Sequence, residues 1–162
     1  MSTPPQLPER SQIVQRALAD AGLTATVREM SGSTRTAADA AATLGCDIGA
    51  IGSSLLFLSD GGPVLVVASS KHRVDTDLVG RQLGVHQMTL APAQQVRDIT
   101  GQAIGGVAPV GHLTPLRTAI DIDLIHHNPI WVAAGTPNTV VPLTFDELVR
   151  VTNGKAVWAS SD

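Results

Sequence analysis

Residues 53–69 read Ser-Ser-Leu-Leu-Phe-Leu-Ser-Asp-Gly-Gly-Pro-Val-Leu-Val-Val-Ala-Ser. Asp60-Gly61-Gly62 in the middle is a turn signal, because glycine supplies the positive φ that tight turns demand. The stretch before it, 53–59, reads as a strand. The stretch after it, 63–69, carries Val64, Leu65, Val66 and Val67 without a polar interruption. A continuous short apolar run beside a turn reads as a strand buried on both faces. Together the two stretches predict a hairpin.

Working outward from the hairpin, residues 9–21 predict an amphipathic helix, with Ile13, Val14, Ala17, Leu18 and Ala21 on one face and Gly22 as its stop. Residues 24–30 alternate weakly and read as a strand, and 31–33 as a loop. Thr36 is an N-cap for an Ala-rich helix, 37–44, that ends at Gly45. Beyond the hairpin, Asp75 caps a helix over 76–83, stopped by Gly84. A short strand over 86–90 follows, and Pro92 opens a helix to Thr100. Residues 117–122, 130–134 and 139–143 read as strands, with a turn at 135–138. Thr144 and Glu147 have capping-box spacing for a helix to Thr152, which Asn153-Gly154 ends. Residues 156–159 read as a last strand. Helices alternate with strands early and strands cluster late, a pattern of α+β class with a mixed sheet.

The composition bounds the function. The chain has 162 residues, 43% of them apolar and 15% charged, enough for one domain with a real core and too apolar for disorder. A polar, Pro-rich leader over 1–8 and one domain over 9–162 are expected. The formal charge is −3, and the aromatics are Phe57, Phe145, Trp131 and Trp158, with no Tyr. That is too little positive charge and too few stacking rings for a broad nucleic-acid face, so no DNA partner is expected. A small, local RNA contact stays open. Cys46 is the single cysteine, which excludes an internal disulfide and a multi-Cys zinc site. No signal core or membrane-length apolar run is present, so the expectation is a soluble, cytoplasmic protein.

Residues 101–111 read Gly-Gln-Ala-Ile-Gly-Gly-Val-Ala-Pro-Val-Gly, with four glycines and a proline. Such a loop exposes main-chain N–H groups and suits recognition of a carbonyl or a ribose. It is neither a P-loop nor a dinucleotide fingerprint. From the residues alone it reads equally as a binding loop or as a tight structural turn. His112, beside it, is the histidine kept as a site candidate. His126 and His127 are expected on opposite faces of a strand, and no histidine pair has chelate spacing, so no metal is expected. Ser53 and Ser54 lack the nucleophile-elbow pattern. Lys71 and Arg73, flanking His72, form the one dense basic cluster and are candidates for a phosphate contact. Cys46 has no basic neighbour to lower its pKa.

These segments, in this order, resemble the YbaK/prolyl-tRNA-synthetase-associated domain family of aminoacyl-tRNA editing proteins. The resemblance runs from about Thr36 to Gly154. It rests on the helix ending at Gly45 followed by 51–57, on His72-Arg73-Val74-Asp75, on the loop 105–112, on Pro115-Leu116 with Ile120-Asp121, and on the stretch 131–139. It implies a single three-layer α+β domain with a bifurcated mixed sheet and flanking helices. It also implies hydrolysis of the ester between a wrong amino acid and the tRNA 3′-terminal adenosine, typically Cys or Ala on tRNA for proline, without a cofactor. The partners implied are the tRNA acceptor end and an aminoacyl-tRNA synthetase. By the resemblance, Gly105, Gly106, Pro109, Gly111 and His112 form the loop that holds adenosine and carbonyl. Gly135, Thr136, Asn138 and Thr139 close the other side, and Met30 lies near the wall. The family has a lysine where this chain has Ser53. Serine offers one hydroxyl and no charge. A replacement cation would have to come from elsewhere, with Arg35, Lys71 and Arg73 as candidates. The alternatives are a silent homologue that binds tRNA ends, a nucleotide or a partner protein, and a hydrolase of another small ester through Ser53 or Ser54.

Overall fold

The computed structural model describes residues 7–31 and 36–161. Residues 1–6 of the expected leader, part of the loop at 31–33, and Arg35 lie outside the described residues. The predicted hairpin is the centre of the fold. Strand β2 (Ile51–Leu58) pairs antiparallel with β3 (Val64–Ser69) from Gly52 opposite Ser69 to Phe57 opposite Val64. Every residue of β3 is buried, as its unbroken apolar run requires.

The other elements are arranged around this pair. Upstream lie helix α1 (Glu9–Asp20), strand β1 (Arg28–Glu29) and helix α2 (Ala37–Leu44). Downstream come α3 (Thr76–Leu83), β4 (Thr89–Leu90), α4 (Ala93–Thr100) and β5 (Arg117–Asp121). The chain closes with β6 (Ile130–Ala133), β7 (Thr139–Leu143), α5 (Phe145–Thr152) and β8 (Lys155–Val157). The eight strands form one mixed sheet in the order β1-β7-β6-β2-β3-β5-β8, with β4 attached to β2. The β2–β6, β3–β5 and β5–β8 pairings are parallel.

The sheet forks at β2. One edge of this strand pairs continuously with β3. Its other edge pairs with β6 at Ile51 and Gly52, and with β4 at Phe57 and Leu58. This is the bifurcated mixed sheet of an α+β domain. Apolar clusters cover both faces. One joins Val14 and Leu18 of α1, Val96 of α4 and Leu148 of α5 to Leu56, Leu65 and Val67. The other packs Val79 and Leu83 of α3 on Phe57, Val64 and Val66. A smaller cluster seats Ala40 and Ala41 of α2 against Ile51 and Trp131.

Local chemistry sets the helix ends. Thr36 and Asp75 accept hydrogen bonds from Asp39 N and Leu78 N, and Gly45 and Gly84 adopt the left-handed conformation that ends each helix. Thr144 and Glu147 form the predicted capping box. Several boundaries differ from the sequence reading. The strand expected over 24–30 shrinks to Arg28–Glu29, because only these two residues find a partner, on β7. β2 begins at Ile51, two residues early, because β6 pairs there. The strand expected over 86–90 is confined to Thr89–Leu90, and the last strand ends at Val157. Pro92 sits at the N-cap of α4, just before the helix begins. His126 ends a 3-10 turn, Ile122–His126, with His127 just after it, so the expected strand there is absent. Among the described residues no helix is long and apolar enough to cross a membrane.

Leu65 is fully buried in the cluster that also holds Val14 and Leu18 of α1 and Val96 of α4. Leu65→Ala should cost about 2–5 kcal/mol, seen as a lower urea midpoint with an unchanged denaturant slope.

Candidate active site

The fork leaves a gap. Between the β6 and β4 pairings, Ser53, Ser54 and Leu55 face no strand on that edge of β2. A cavity of about 260 Å³ opens there. α2 contributes Thr36, Ala37 and Ala40, the glycine loop contributes Ile104, Gly105 and Val107, and β6 contributes Trp131. Pro137, Thr139 and Val140 close the remaining side. Among the described residues, no charged side chain and no histidine lines it.

Two loops meet at its rim. Gly135 N donates to Gly106 O at 2.9 Å. The approach is close enough that a Cβ on Gly106 would lie 2.5 Å from the Thr136 carbonyl carbon. Gly135, at φ +102°, lies against the backbone of Arg10 in α1. Thr139 Oγ1 bridges Ser11 Oγ at 2.9 Å and Thr136 Oγ1 at 2.8 Å, so α1 and the 135–139 turn are tied together. Met30 N donates to Asn138 O at 2.7 Å, which joins the end of β1 to the same turn.

The glycine loop is held from inside by Gln102, a residue the sequence reading passed over. Its buried amide accepts from Ala108 N at 2.8 Å and donates to Val110 O and Gly111 O at 3.2 and 3.3 Å. The Gly106 N–H is taken by Ala103 O. The N–H groups of Gly105 and Val107 make no hydrogen bond among the described residues, and both residues line the cavity. The Ile104 N–H on the same wall is likewise unengaged among the described residues, so the loop presents three main-chain donors there.

The candidate side chains separate into groups. Ser53 Oγ lies 2.6 Å from Ser70 Oγ, which donates to Ile51 O, so the Ser53 hydroxyl is the donor in that pair. No base stands beside it. Ser54 Oγ is buried and has no hydrogen-bond partner among the described residues. His112, Pro109 and Gly111 line a different hollow, with Ala17 and Val151, that shares no residue with the first. His112 Nε2 donates to Ala108 O at 2.7 Å, and burial lowers its pKa against the opposing effect of that bond. The ring therefore braces the loop's far side. Lys71 and Arg73 are exposed and line neither hollow. His72 between them donates to Asp123 Oδ2 at 2.6 Å. His72, Asp121 and Asp123 offer three ligand atoms within 4.8 Å of one another, a cluster that spacing alone did not reveal. Asp121 already accepts from Ser69 N and Asp123 N, so these groups serve as internal caps. Burial, and then Asp47, raise the Cys46 pKa, which disfavours the nucleophilic thiolate.

A model of the aminoacyl-tRNA editing domain matches residues 31–151, and the chain belongs to that family. It is 32% identical over 133 residues to the uncharacterized protein YwhH of Bacillus subtilis (strain 168), covering 82% of this chain and 83% of the relative. The crystal structure of a proposed trans-editing enzyme for prolyl-tRNA synthetase superposes with a TM-score of 0.91 at 37% identity, covering 97% of this chain and 100% of the other. That of the hypothetical protein APE2540 gives 0.85 at 28% identity, covering 92% and 99%.

Gly106→Ala should force the two loops apart, costing about 1–3 kcal/mol by overpacking and distorting the cavity, as read by thermal melting and by loss of site activity. His112 gives a pH signature. Its folded pKa lies below the unfolded value of about 6.5. The unfolded chain therefore binds the proton first, and its share of stability, full above that pH, is lost as pH falls through it. His112→Gln should thus be less stable than wild type at pH 7.5, with the gap narrowing toward pH 5. Urea midpoints across that range read the effect, and a constant gap would count against it.

Proposed function

We propose that the protein is a trans-acting deacylase that hydrolyses the ester linking a wrong amino acid to the 3′-terminal adenosine of tRNA. The observation that carries this reading is the cavity at the sheet fork, uncharged among the described residues, with unengaged main-chain N–H groups of the glycine loop on its wall. An ester carbonyl placed against the Gly105 and Val107 N–H groups would have its developing oxyanion stabilised, each donor being worth roughly 3 kcal/mol. Water adds to the carbonyl carbon, the bond to the ribose oxygen breaks, and that oxygen leaves with a proton. No side-chain nucleophile is needed, and among the described residues the site offers none with a base beside it.

The cavity's size and its lining without charged side chains among the described residues favour an aminoacyl group with a small, uncharged side chain, of the Cys- or Ala-tRNA(Pro) kind. Gly105, Gly106 and Ser53 stand nearest the chemistry in this reading, with Gly106 acting through the loop contact since its N–H is engaged. Thr139 forms part of the wall, and Met30, Gly135, Thr136 and Asn138 shape the turn behind it. Pro109, Gly111 and His112 hold the loop's other end. The protein acts on the acceptor end alone, in the cytoplasm, beside the synthetase whose errors it removes. A second reading, binding of tRNA ends without hydrolysis, is favoured by the neutral Ser53 hydroxyl.

The test is direct. Purified protein is incubated with Cys-, Ala- and Ser-charged tRNAs, and loss of the ester is followed. Acceleration is expected, and none over buffer for any of them would overturn the deacylase reading. Ser53→Lys should raise the rate about 10- to 100-fold if the new ammonium makes a charge-assisted hydrogen bond in the transition state, worth about 1.5–3 kcal/mol. Gain of activity from a silent wild type would support the binding reading.

A further inference from the structure

Among the described residues no charged side chain lines the cavity, yet the proposed substrate is a polyanion whose nearest phosphate is 5′ of the adenosine that carries the ester. We propose that Arg28, held over Trp131, is the phosphate contact that seats the acceptor end; the inference rests on the deacylase or tRNA-end reading above. Trp131 lines the cavity and pairs in parallel with Ile51, another wall residue. The Arg28 guanidinium carbon lies 5.1 Å from the centroid of that ring. The β1–β7 register sets Arg28 opposite Val140, which also lines the cavity. Arg28 is exposed and, among the described residues, forms no ion pair with a carboxylate.

The contact has a chemical consequence. A guanidinium held over a ring by cation–π attraction keeps N–H donors of its planar fork for a second partner. That planar fork matches two oxygens of a phosphate, and the ring reduces the ordering cost of a long side chain. Lys71 and Arg73 lack this: both are exposed, and no hydrogen bond or ion pair fixes either of them among the described residues. Among the described residues, Arg28 is the cation beside the cavity whose position such a contact sets.

The test compares wild type with Arg28→Gln, Arg28→Lys and, as a control on α3, Arg81→Gln. Deacylation of charged tRNA is measured from 50 to 300 mM NaCl. One lost phosphate contact should reduce the slope of log(kcat/KM) against log[NaCl] by about 0.7 in Arg28→Gln. KM should rise about tenfold at low salt with little change in kcat. Arg28→Lys should recover the slope, and Arg81→Gln should leave it as in wild type. The loss should be specific to phosphate: kcat/KM for tRNA should fall relative to that for 3′-O-aminoacyl-adenosine, which has no 5′ phosphate. An unchanged slope, or an equal loss on both substrates, would overturn the assignment. If wild type hydrolyses no charged tRNA, the deacylase reading fails by itself. The Arg28 assignment is then decided by fluorescence anisotropy with an uncharged acceptor-stem minihelix ending in CCA, where the same slope difference is required.

Discussion

One strand has to serve two partners along a single edge. β2 is continuous along β3, but on its other side it gives two residues to β6 and two to β4. Strands twist relative to their neighbours, so two partners at opposite ends of one edge diverge. The residues between them are left without a ladder. Backbone in that position must be covered by something other than a strand. Here the cover is α2 on one side and the glycine loop with the 135–139 turn on the other. The cavity is the space these elements enclose without filling.

The rigidity of the site follows from the way that cover is assembled. Two glycines let the loops touch backbone to backbone, and α1 presses on the back of the turn. Gln102 ties together three main-chain groups of the glycine loop from within the core. A buried amide with all these partners present is stable, and leaving them unpaired would be costly. The arrangement keeps some loop N–H groups engaged and leaves others available. Selectivity of that kind is what fixed, preorganised donors require.

Local signals were legible in the sequence, and pairings between distant segments were not. The central hairpin, the caps at Thr36, Asp75 and Thr144, and the stops at Gly45 and Gly84 depend on neighbours a few residues away, and they stand where they were read. The early start of β2 and the brevity of β1 are set by β6 and β7, far along the chain, so no local pattern carries them. Ser53 and the loop glycines were recognisable by resemblance, and Ser53 and Gly105 do meet at one cavity. His112 looked adjacent to the site because it is adjacent in sequence, but the loop turns its ring to another hollow. Gln102 and Arg28 gave no signal. An isolated glutamine or arginine acquires its role only from the groups that folding brings around it.

The fork also bears on the order in which the molecule can assemble. β2–β3 and β6–β7 are each antiparallel neighbours joined by short connections, and such hairpins form quickly. In the sheet they meet where Ile51 and Gly52 pair with Trp131 and Val132, across about half of the chain. Long-range parallel contacts of this sort are slow, because the loop must close before any bond rewards it. The cavity lies across that seam, with β2 on one side and Trp131 on the other. It therefore does not exist in either half alone. A nascent chain released before residue 131 would hold the central hairpin and the glycine loop, and it would have no site.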